Sequence, residues 1–138
     1  MNPLAPLYRF AAHLRYLRDR NVGRRGEDLA HRYLRARGYT IVARNWRPPQ
    51  GGGELDLVAW HEATLVFIEV KSRLSGAWSA PERDVDAEKL NSLRKAARDY
   101  VRRAAAEEAE TRFDVVTVTG QTIDHIREAF LLLPVRRS

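Results

Sequence analysis

The sequence of 138 residues contains no cysteine. This absence excludes disulfide bonds, zinc sites built on thiolates and any enzyme that uses a thiol nucleophile. A chain without cysteine is compatible with a reducing compartment. We therefore expect a cytoplasmic location, although the absence alone does not fix one.

Long apolar stretches are also lacking, since no run approaches the roughly 20 residues that a membrane-spanning helix needs. The N-terminal stretch MNPLAPLYRFAAHLRYLRDR has arginines scattered among its apolar positions. A signal peptide would need an unbroken apolar centre and a cleavage site with small residues, and neither is present. We therefore expect no membrane partner, and we interpret residues 1–20 as a basic N-terminal extension or helix.

Several hydrolase and nucleotide-binding motifs are absent as well. The histidines at positions 13, 31, 61 and 125 are scattered and show no HExxH spacing. The glycines of GGGELD are not followed by the Gly-Lys-Ser/Thr of a phosphate-binding loop. No serine lies in a GxSxG turn. These absences argue against zinc peptidases, P-loop nucleotidases and α/β-hydrolases.

Lysine is scarce: the sequence has 21 arginines but only three lysines, which are Lys71, Lys89 and Lys95. Where arginine is the usual basic residue, a lysine inside a predicted buried strand, such as Lys71, indicates that its compact charge matters. The net charge of +6 permits a polyanionic partner such as nucleic acid. It is equally compatible with a solvated surface that happens to be basic.

Hydrophobic periodicity predicts two helices and four strands. The helices cover residues 23–37, ended by Gly38 as a C-terminal cap, and residues 84–108. The strands are YTIVARNW, ELDLVAW, LVFIEVKSR and RFDVVTVT, and the segment after the last of them is ambiguous between strand and helix. The order α-β-β-β-α-β predicts an α/β fold with a mixed sheet.

Two of these strands, ELDLVAW and LVFIEVK, are joined by a very short connection around HEAT. A two-residue loop and a four-residue loop both give the same register. This register places Asp56 opposite Glu69 and Glu54 opposite Lys71, all four on one face at the end away from the turn. The other face is wholly apolar. It consists of Leu55, Leu57, Ala59, Val66, Ile68 and Val70.

The two facing carboxylates, Asp56 and Glu69, raise an electrostatic problem. Directly opposed side chains repel by roughly 3 kcal/mol when both are ionised at an effective dielectric constant near 20. Lys71 lies diagonal to Asp56 and offsets only part of this repulsion. The remaining solutions are a shared proton or a bound cation, and converging oxygen ligands suit Mg²⁺ or Mn²⁺. A plain ion pair between Glu69 and Lys71, with Asp56 capping a loop, is the competing interpretation.

Glu27 is a candidate third acidic group. It lies three and seven residues before Ala30 and Leu34, so it extends the apolar stripe of the first helix toward the sheet. The alternative is a first-turn residue that the helix dipole favours.

These residues are part of a wider likeness. Between about residues 23 and 130 the chain resembles the YraN family of small bacterial proteins. The likeness rests on several stretches taken together: GRRGEDLAHRYLRARGYTIVARNWR, GGGELDLVAW, LVFIEVKSR, the helix that contains Lys89, and RFDVV. The YraN family in turn resembles the PD-(D/E)xK nucleases, particularly the archaeal-type Holliday junction resolvases.

The resemblance implies a single nuclease-like domain over residues 21–138. Its restriction-endonuclease-like core would have a mixed central sheet flanked by helices. The resemblance also implies that Asp56 and the Glu69-x-Lys71 triplet form the active site, and that Glu27 supplies the acidic residue of the first helix. Glu54 fits the family pattern Gly-Glu-x-Asp and is a secondary candidate. The Pro-Asp dipeptide of the superfamily is missing here, a departure that is frequent in it.

The implied function is metal-dependent hydrolysis of phosphodiester bonds in DNA, with branched or structured DNA as a candidate substrate. Asp56 and Glu69, assisted by the Val70 carbonyl, would hold one or two Mg²⁺ or Mn²⁺ ions that polarise the phosphate and activate water. Lys71 would orient that water or stabilise developing charge. Glu27 would complete the metal shell directly or through water.

Nucleic-acid contacts follow from the same likeness. Lys89 and several arginines would bind backbone phosphates without reading sequence. These arginines are Arg24, Arg25, Arg44, Arg47 and Arg73. Trp46 and Trp78 could stack on unpaired bases, although ordinary packing is the stronger expectation for both.

Two other functions remain open. One is a nucleic-acid-binding module that keeps the nuclease fold without turnover. The other is an adaptor that binds protein partners through the basic N-terminal segment or the apolar LLLPV tail. A junction resolvase would need to be a homodimer, and the sequence leaves the oligomeric state open.

Overall fold

The computed structural model describes residues 25–73 and 87–129. In chain order its elements are α1 (Arg25–Ala36), β1 (Tyr39–Trp46), β2 (Leu55–His61), β3 (Thr64–Arg73), α2 (Ala87–Arg103), β4 (Glu110–Thr119) and β5 (Thr122–Ile126). The predicted N-terminal extension, Arg24, Trp78 and the LLLPV tail lie outside the described residues. Within the described ranges, no helix is long and apolar enough to cross a membrane.

The five strands form one mixed sheet in the order β1-β2-β3-β4-β5. Strands β3 and β4 are parallel, and the connection between them includes α2, as parallel neighbours require. The other neighbours are antiparallel. The predicted α/β class and mixed sheet are therefore confirmed, and the ambiguous segment after β4 contains a strand.

Among the described residues, one helix packs against each face of the sheet. Ala30 and Leu34 of α1 pack on Leu57, Ala59 and their neighbours. On the opposite face, α2 packs on the alternate positions of the same strands. That second cluster includes Val58, Leu65, Phe67, Leu93, Ala96, Ala97 and Tyr100. The period-two alternation of β2 and β3 thus supplies two cores, and burial of each large apolar side chain stabilises the fold by about 1.5–3 kcal/mol.

The hairpin between β2 and β3 has the predicted register, since its pairs run from Leu57–Ile68 to His61–Thr64. The connection is the two-residue loop, and Glu62, its first residue, has a φ of 55°. The face predicted for Leu55 is wrong, because Leu55 packs with the α2 cluster rather than with Leu57. The β2–β3 ladder ends at Leu57–Ile68, so the predicted pairs Asp56–Glu69 and Glu54–Lys71 lie beyond it, and the strict alternation of faces does not extend to Leu55.

Strand β1 bends on its way to the same end of the sheet. A register shift between Ile41 and Ala43 marks a β-bulge, which increases local twist. Shortly after it, Asn45 adopts a φ of 53°, a left-handed conformation that asparagine tolerates better than most residues. These two irregularities bring the end of β1 beside the start of β2.

One helix end was predicted correctly and one was not. Helix α1 ends where Gly38, with a φ of 88°, donates a backbone hydrogen bond to the Arg35 carbonyl at 3.1 Å. Helix α2 ends at Arg103, short of the predicted end at residue 108. Ala105 takes the left-handed conformation there, with a φ of 53°. The sequence has no glycine or proline at this turn, so its alanine-rich pattern predicts a helix that continues past Arg103.

A buried polar cluster ties four elements together at the turn end of the hairpin. Asp114 is fully buried, and Arg112 donates to its carboxylate at 2.8 and 3.1 Å. His125 Nε2 lies 2.7 Å from the same carboxylate, and its Nδ1 lies 3.3 Å from the Tyr33 hydroxyl. Arg112 also donates to the Tyr39 hydroxyl at 2.7 Å. The cluster therefore connects α1, β1, β4 and β5.

Candidate functional site

A cavity of about 260 Å³ lies at the end of β2 and β3 that is away from their turn. Its walls come from both strands, from the loop before β2 and from the first turns of α2. The lining residues are Gly53, Glu54, Asp56, Glu69, Val70, Lys71, Lys89, Ser92 and Leu93. The four charged residues at this end of the hairpin therefore share one cavity, and Lys89 joins them from the helix.

Asp56 is buried at the inner end of this cavity. Its Oδ2 accepts a hydrogen bond from the Val70 backbone N–H at 2.8 Å. Burial and the neighbouring carboxylate of Glu69 raise the pKa of Asp56 from 3.8 to about 8. At neutral pH Asp56 is therefore protonated, and a side-chain hydrogen bond joins it to Glu69. The metal-free chain thus adopts the shared proton, which is one of the two solutions that the sequence left open.

Glu69 is the negative centre of the cavity, with its side chain only 7% exposed. Its Oε2 lies 2.5 Å from Lys89 Nζ and 3.4 Å from Lys71 Nζ. Burial alone would raise the pKa of Glu69, but the hydrogen bonds from Asp56 and Lys89 outweigh burial and lower the pKa. Glu69 therefore stays ionised while Asp56 holds the proton.

The two lysines differ in their acidity. Burial and the hydrogen bond with Lys89 lower the pKa of Lys71. Burial acts on Lys89 in the same direction, but its contacts with Glu69 and Lys71 outweigh burial and raise its pKa. Lys71 is therefore the ammonium that gives up a proton more readily.

Glu27 reaches the sheet because α1 approaches β3 closely. A Cβ on Gly26 would lie 1.9 Å from Ser72 Oγ, so only glycine fits there without displacing Ser72. The buried Glu27 carboxylate lies 3.4 Å from Arg44 Nε. Its charge adds to the raised pKa of Asp56, after burial and Glu69. Glu27 thus lies beside the Asp56–Glu69 pair and is held by its own cation.

Asn45 is a residue of this site that sequence reasoning missed. Its Nδ2 donates to Glu27 Oε2 at 3.3 Å and to Glu54 Oε1 at 3.4 Å. Arg47 Nε completes the arrangement by donating to Glu54 Oε2 at 3.0 Å. The amide therefore bridges Glu27 of α1 and Glu54 of the loop before β2. Its signal in the sequence is weak: an asparagine at the end of a strand, where a left-handed residue bends the chain.

The predicted phosphate-binding arginines occupy different environments. Arg47 has a side chain that is 69% exposed, next to the cavity. Arg44 is 4% exposed and also pairs with Asp28 at 2.7 Å, so its guanidinium faces carboxylates inside the protein. Arg25 and Arg73 lie on α1 and β3, but their side chains are outside the described part of the chain.

Trp46 packs against the α2 side of the sheet. It makes an edge-to-face contact with the ring of Tyr100, at 5.2 Å between centroids. This contact agrees with the packing role that was the stronger expectation for Trp46.

The donor set fits a divalent cation that completes its coordination with water and substrate. In residues 25–73 and 87–129, no three acidic or histidine side chains converge closely enough to hold a metal ion by themselves. Asp56 and Glu69 do meet, and Mg²⁺ is commonly bound through one or two carboxylates together with waters and substrate phosphates. Glu54 and Val70 line the same cavity, whereas Glu27 is not one of its lining residues and acts on Asp56 through its charge.

Comparison with known proteins identifies the family. The model of the uncharacterised protein family UPF0102 matches residues 26–118, which include Glu27, Asn45 and all the residues that line the cavity. The chain belongs to this family. UPF0102 is the YraN family that the sequence motifs resemble.

Several bacterial relatives are similar over most of the chain. A UPF0102 protein of Solibacter usitatus is 54% identical over 128 residues, covering 90% of this chain and 97% of the relative. A UPF0102 protein of Koribacter versatilis is 48% identical, with 80% of each chain covered. One from Desulfosudis oleivorans is 40% identical over 78% of this chain and 88% of its own. Their names give the family alone, so function must be argued from the cavity.

Proposed function

We propose that this UPF0102 protein is a metal-dependent endonuclease that hydrolyses phosphodiester bonds of DNA, with Mg²⁺ or Mn²⁺ as its cofactor. The observation that carries the proposal is the contact between the buried carboxyl groups of Asp56 and Glu69, with two lysines beside Glu69. The proposal includes a restriction-endonuclease-like core for the α/β fold, action on structured or branched DNA as a homodimer, and a cytoplasmic location.

Each side chain of the cavity has a role in this reaction. When bound, the ion supplies Lewis-acid polarisation of the phosphodiester. Asp56 and Glu69 would hold it, the Val70 carbonyl would add an oxygen donor, and Glu27 would contribute through water. Lys71, whose pKa burial and Lys89 lower, orients the attacking water and stabilises the negative charge that develops on the phosphate.

The size of the cavity supports a polymeric substrate. At about 260 Å³ it falls below the range of about 300–1,000 Å³ that is usual for small-molecule sites. We infer that a cavity of this size receives a single phosphate group of a longer substrate, whose remainder would lie on the surface. Arg47 is on that surface beside the cavity and can bind a neighbouring phosphate.

The proposal is tested by incubating the full chain with branched, flapped and single-stranded DNA, with and without Mg²⁺ or Mn²⁺. We expect cleavage that requires the metal and disappears in Glu69→Ala and Lys71→Ala variants. Glu107→Ala, at an exposed position outside the cavity, is the matched control and should cleave like the wild type.

Three results would count against the proposal. Cleavage that persists unchanged in both cavity variants would refute the assigned site. Salt-dependent DNA binding without cleavage of any substrate would favour a non-catalytic nucleic-acid-binding module. A chain that binds no DNA even at low salt would favour an adaptor.

Metal binding should tighten as the pH rises. Because Asp56 has a pKa of about 8 without metal, the ion must displace its proton at lower pH. The Kd for Mg²⁺ should therefore fall by about tenfold per pH unit up to about pH 8 and then level off. Isothermal titration calorimetry in buffers of different ionisation enthalpy should also detect about one proton released per ion at neutral pH. An affinity that does not change over this pH range would contradict the assignment of Asp56.

Asn45→Gly should separate the role of the amide from that of the backbone. Glycine adopts the left-handed φ of 53° without strain, so the fold should be retained. Loss of the bridge between Glu27 and Glu54 should weaken Mn²⁺ binding by about tenfold, since groups that orient metal ligands commonly contribute this much. Wild-type Mn²⁺ affinity in the Asn45→Gly variant would show that the bridge does not position the site.

A further inference from the structure

Two ammonium groups contact the same carboxylate oxygen of Glu69, which is one of the two candidate metal ligands. Lys89 Nζ and Lys71 Nζ both contact Oε2 of Glu69, at 2.5 and 3.4 Å. Glu69 is one of only two carboxylates that meet in the described cavity. A divalent cation that binds Glu69 must therefore compete with the lysines that neutralise it, and Lys89 is the closer competitor.

Lys89 is better placed to leave than Lys71. Lys71 lies on β3, two residues from Glu69, and its side chain is 20% exposed. Lys89 belongs to the first turn of α2 and reaches in from the surface, with its side chain 39% exposed. A long flexible stem whose outer part is in solvent can redirect its charged end without any movement of the helix.

We propose that Lys89 exchanges partners, binding Glu69 in the free protein and a substrate phosphate once a divalent ion has taken its place. This inference rests on the proposed function, since it concerns the same cavity. A doubly charged ion beside Glu69 repels the Lys89 ammonium at short range, whereas a phosphate attracts it. Lys89 therefore acts as a competitor of the metal before substrate arrives and as a phosphate ligand afterwards.

The exchange predicts coupling between metal and DNA. A phosphate that binds Lys89 removes a competitor from Glu69, so DNA should tighten metal binding. Because coupling of two binding equilibria is reciprocal, the metal should tighten DNA binding by the same factor. A static ion pair between Lys89 and Glu69 would give no such exchange.

The test compares wild type with Lys89→Met, which keeps a long flexible stem and removes the charge. Mn²⁺ affinity is measured calorimetrically without DNA, and the affinity for a labelled single-stranded oligonucleotide is measured by anisotropy with and without Mn²⁺. The anisotropy measurements are made at low temperature, and a gel verifies that the oligonucleotide remains intact. Lys95→Met, an exposed lysine on the same helix, is the matched control.

We expect Lys89→Met to bind Mn²⁺ about fivefold tighter than wild type in the absence of DNA. Mn²⁺ should raise the DNA affinity of the same variant less than it raises that of the wild type, and Lys95→Met should behave like the wild type. The denaturant midpoint of each variant shows whether it is folded. Unchanged or weaker Mn²⁺ affinity in folded Lys89→Met would overturn the exchange.

The experiments can refute the exchange of Lys89 without refuting the proposed nuclease function, and the reverse. If wild type cleaves DNA but Lys89→Met binds Mn²⁺ no more tightly, the exchange is wrong and the nuclease stands. If the binding results appear but no substrate is cleaved, the exchange stands and the nuclease is wrong. A wild-type chain that binds no Mn²⁺ overturns both.

Discussion

Asp56→Asn should abolish DNA cleavage, by at least about a thousandfold, and should remove Mg²⁺ binding while leaving the fold intact. Asp56 is protonated in the metal-free protein, so asparagine replaces one neutral group with another of similar shape. Its carbonyl oxygen can accept the Val70 N–H, and its amide can donate to Glu69 as the protonated carboxyl does. The variant lacks only the ability to become a carboxylate.

The same substitution has a predictable effect on stability. Because folding raises the pKa of Asp56 from 3.8 to about 8, its contribution to stability is fully present below about pH 4 and is lost as the pH rises through about 8. The asparagine side chain of the Asp56→Asn variant has no proton to lose. Without metal, the variant should therefore gain stability relative to wild type as the pH rises from about 4 to about 8, and it should be more stable by a few kcal/mol near pH 8.5, since each pKa unit corresponds to about 1.4 kcal/mol.

Urea unfolding between about pH 5 and pH 8.5 in the presence of a chelator, followed by calorimetric Mg²⁺ titration, tests both statements. Asp124→Asn, at an exposed aspartate on β5, is the matched control and should change neither metal binding nor the pH profile. If the Asp56→Asn variant cleaved DNA as fast as the wild type, Asp56 would not be a metal ligand. A variant that fails to fold near pH 5 would assign Asp56 a structural role instead.

The largest loss of stability is expected from Asp114→Asn, far from the cavity. This substitution leaves Arg112, which is 10% exposed, without its counter-charge, and breaking one side of a buried ion pair costs about 3–5 kcal/mol. The backbone N–H of Glu128 also donates to Asp114 at 3.2 Å, so the turn after β5 should loosen as well. The total is a large fraction of the roughly 5–15 kcal/mol that stabilises an ordinary domain.

The pH dependence of this loss has the opposite sign to that at Asp56. Burial alone would raise the pKa of Asp114, but the hydrogen bonds from His125, Arg112 and Glu128 outweigh burial and lower it. Its contribution is therefore present above pH 3.8 and lost as the pH falls through the lowered value. The gap between wild type and Asp114→Asn should persist from about pH 5 to pH 8 and shrink in stronger acid.

Urea unfolding at several pH values measures this gap, and Asp99→Asn serves as the control. Asp99 forms ion pairs with the exposed guanidinium groups of Arg102 and Arg103, and its replacement should lower the free energy of unfolding only slightly. An Asp114→Asn protein as stable as wild type would show that the cluster does not hold the four elements together.

The hairpin was predictable because its signal is local. A strand alternates faces every two residues, and a two-residue loop fixes the register, so the pairing from Leu57–Ile68 to His61–Thr64 follows from the sequence. The face of Leu55 did not follow. The ladder stops before Leu55, and its surroundings are set by Trp46 on β1, with which it pairs.

The site was only partly predictable for a related reason. The sequence brought Glu54, Asp56, Glu69 and Lys71 together, since all four lie on one hairpin. It did not predict that Glu69 would bind Lys89 more closely than Lys71, because the position of α2 depends on its packing against the sheet.

The bridge made by Asn45 and the buried pair of Arg44 with Glu27 also escaped prediction. Both depend on the close approach of Gly26 to Ser72 and on the bend in β1. The Asp114 cluster joins residues as far apart in the chain as Tyr39 and His125, and no local sequence pattern predicts such a cluster.

By itself, the amino-acid sequence determined the strands, the pairing of the hairpin and the placement of several acidic side chains at one end of it. These features follow from the alternation of side chains along a strand and from the length of the turn. Tertiary structure alone decided which cation neutralises which acid and which carboxyl holds the proton. Those outcomes depend on distances of a few ångströms between elements far apart in the chain, and on how completely water is excluded between them.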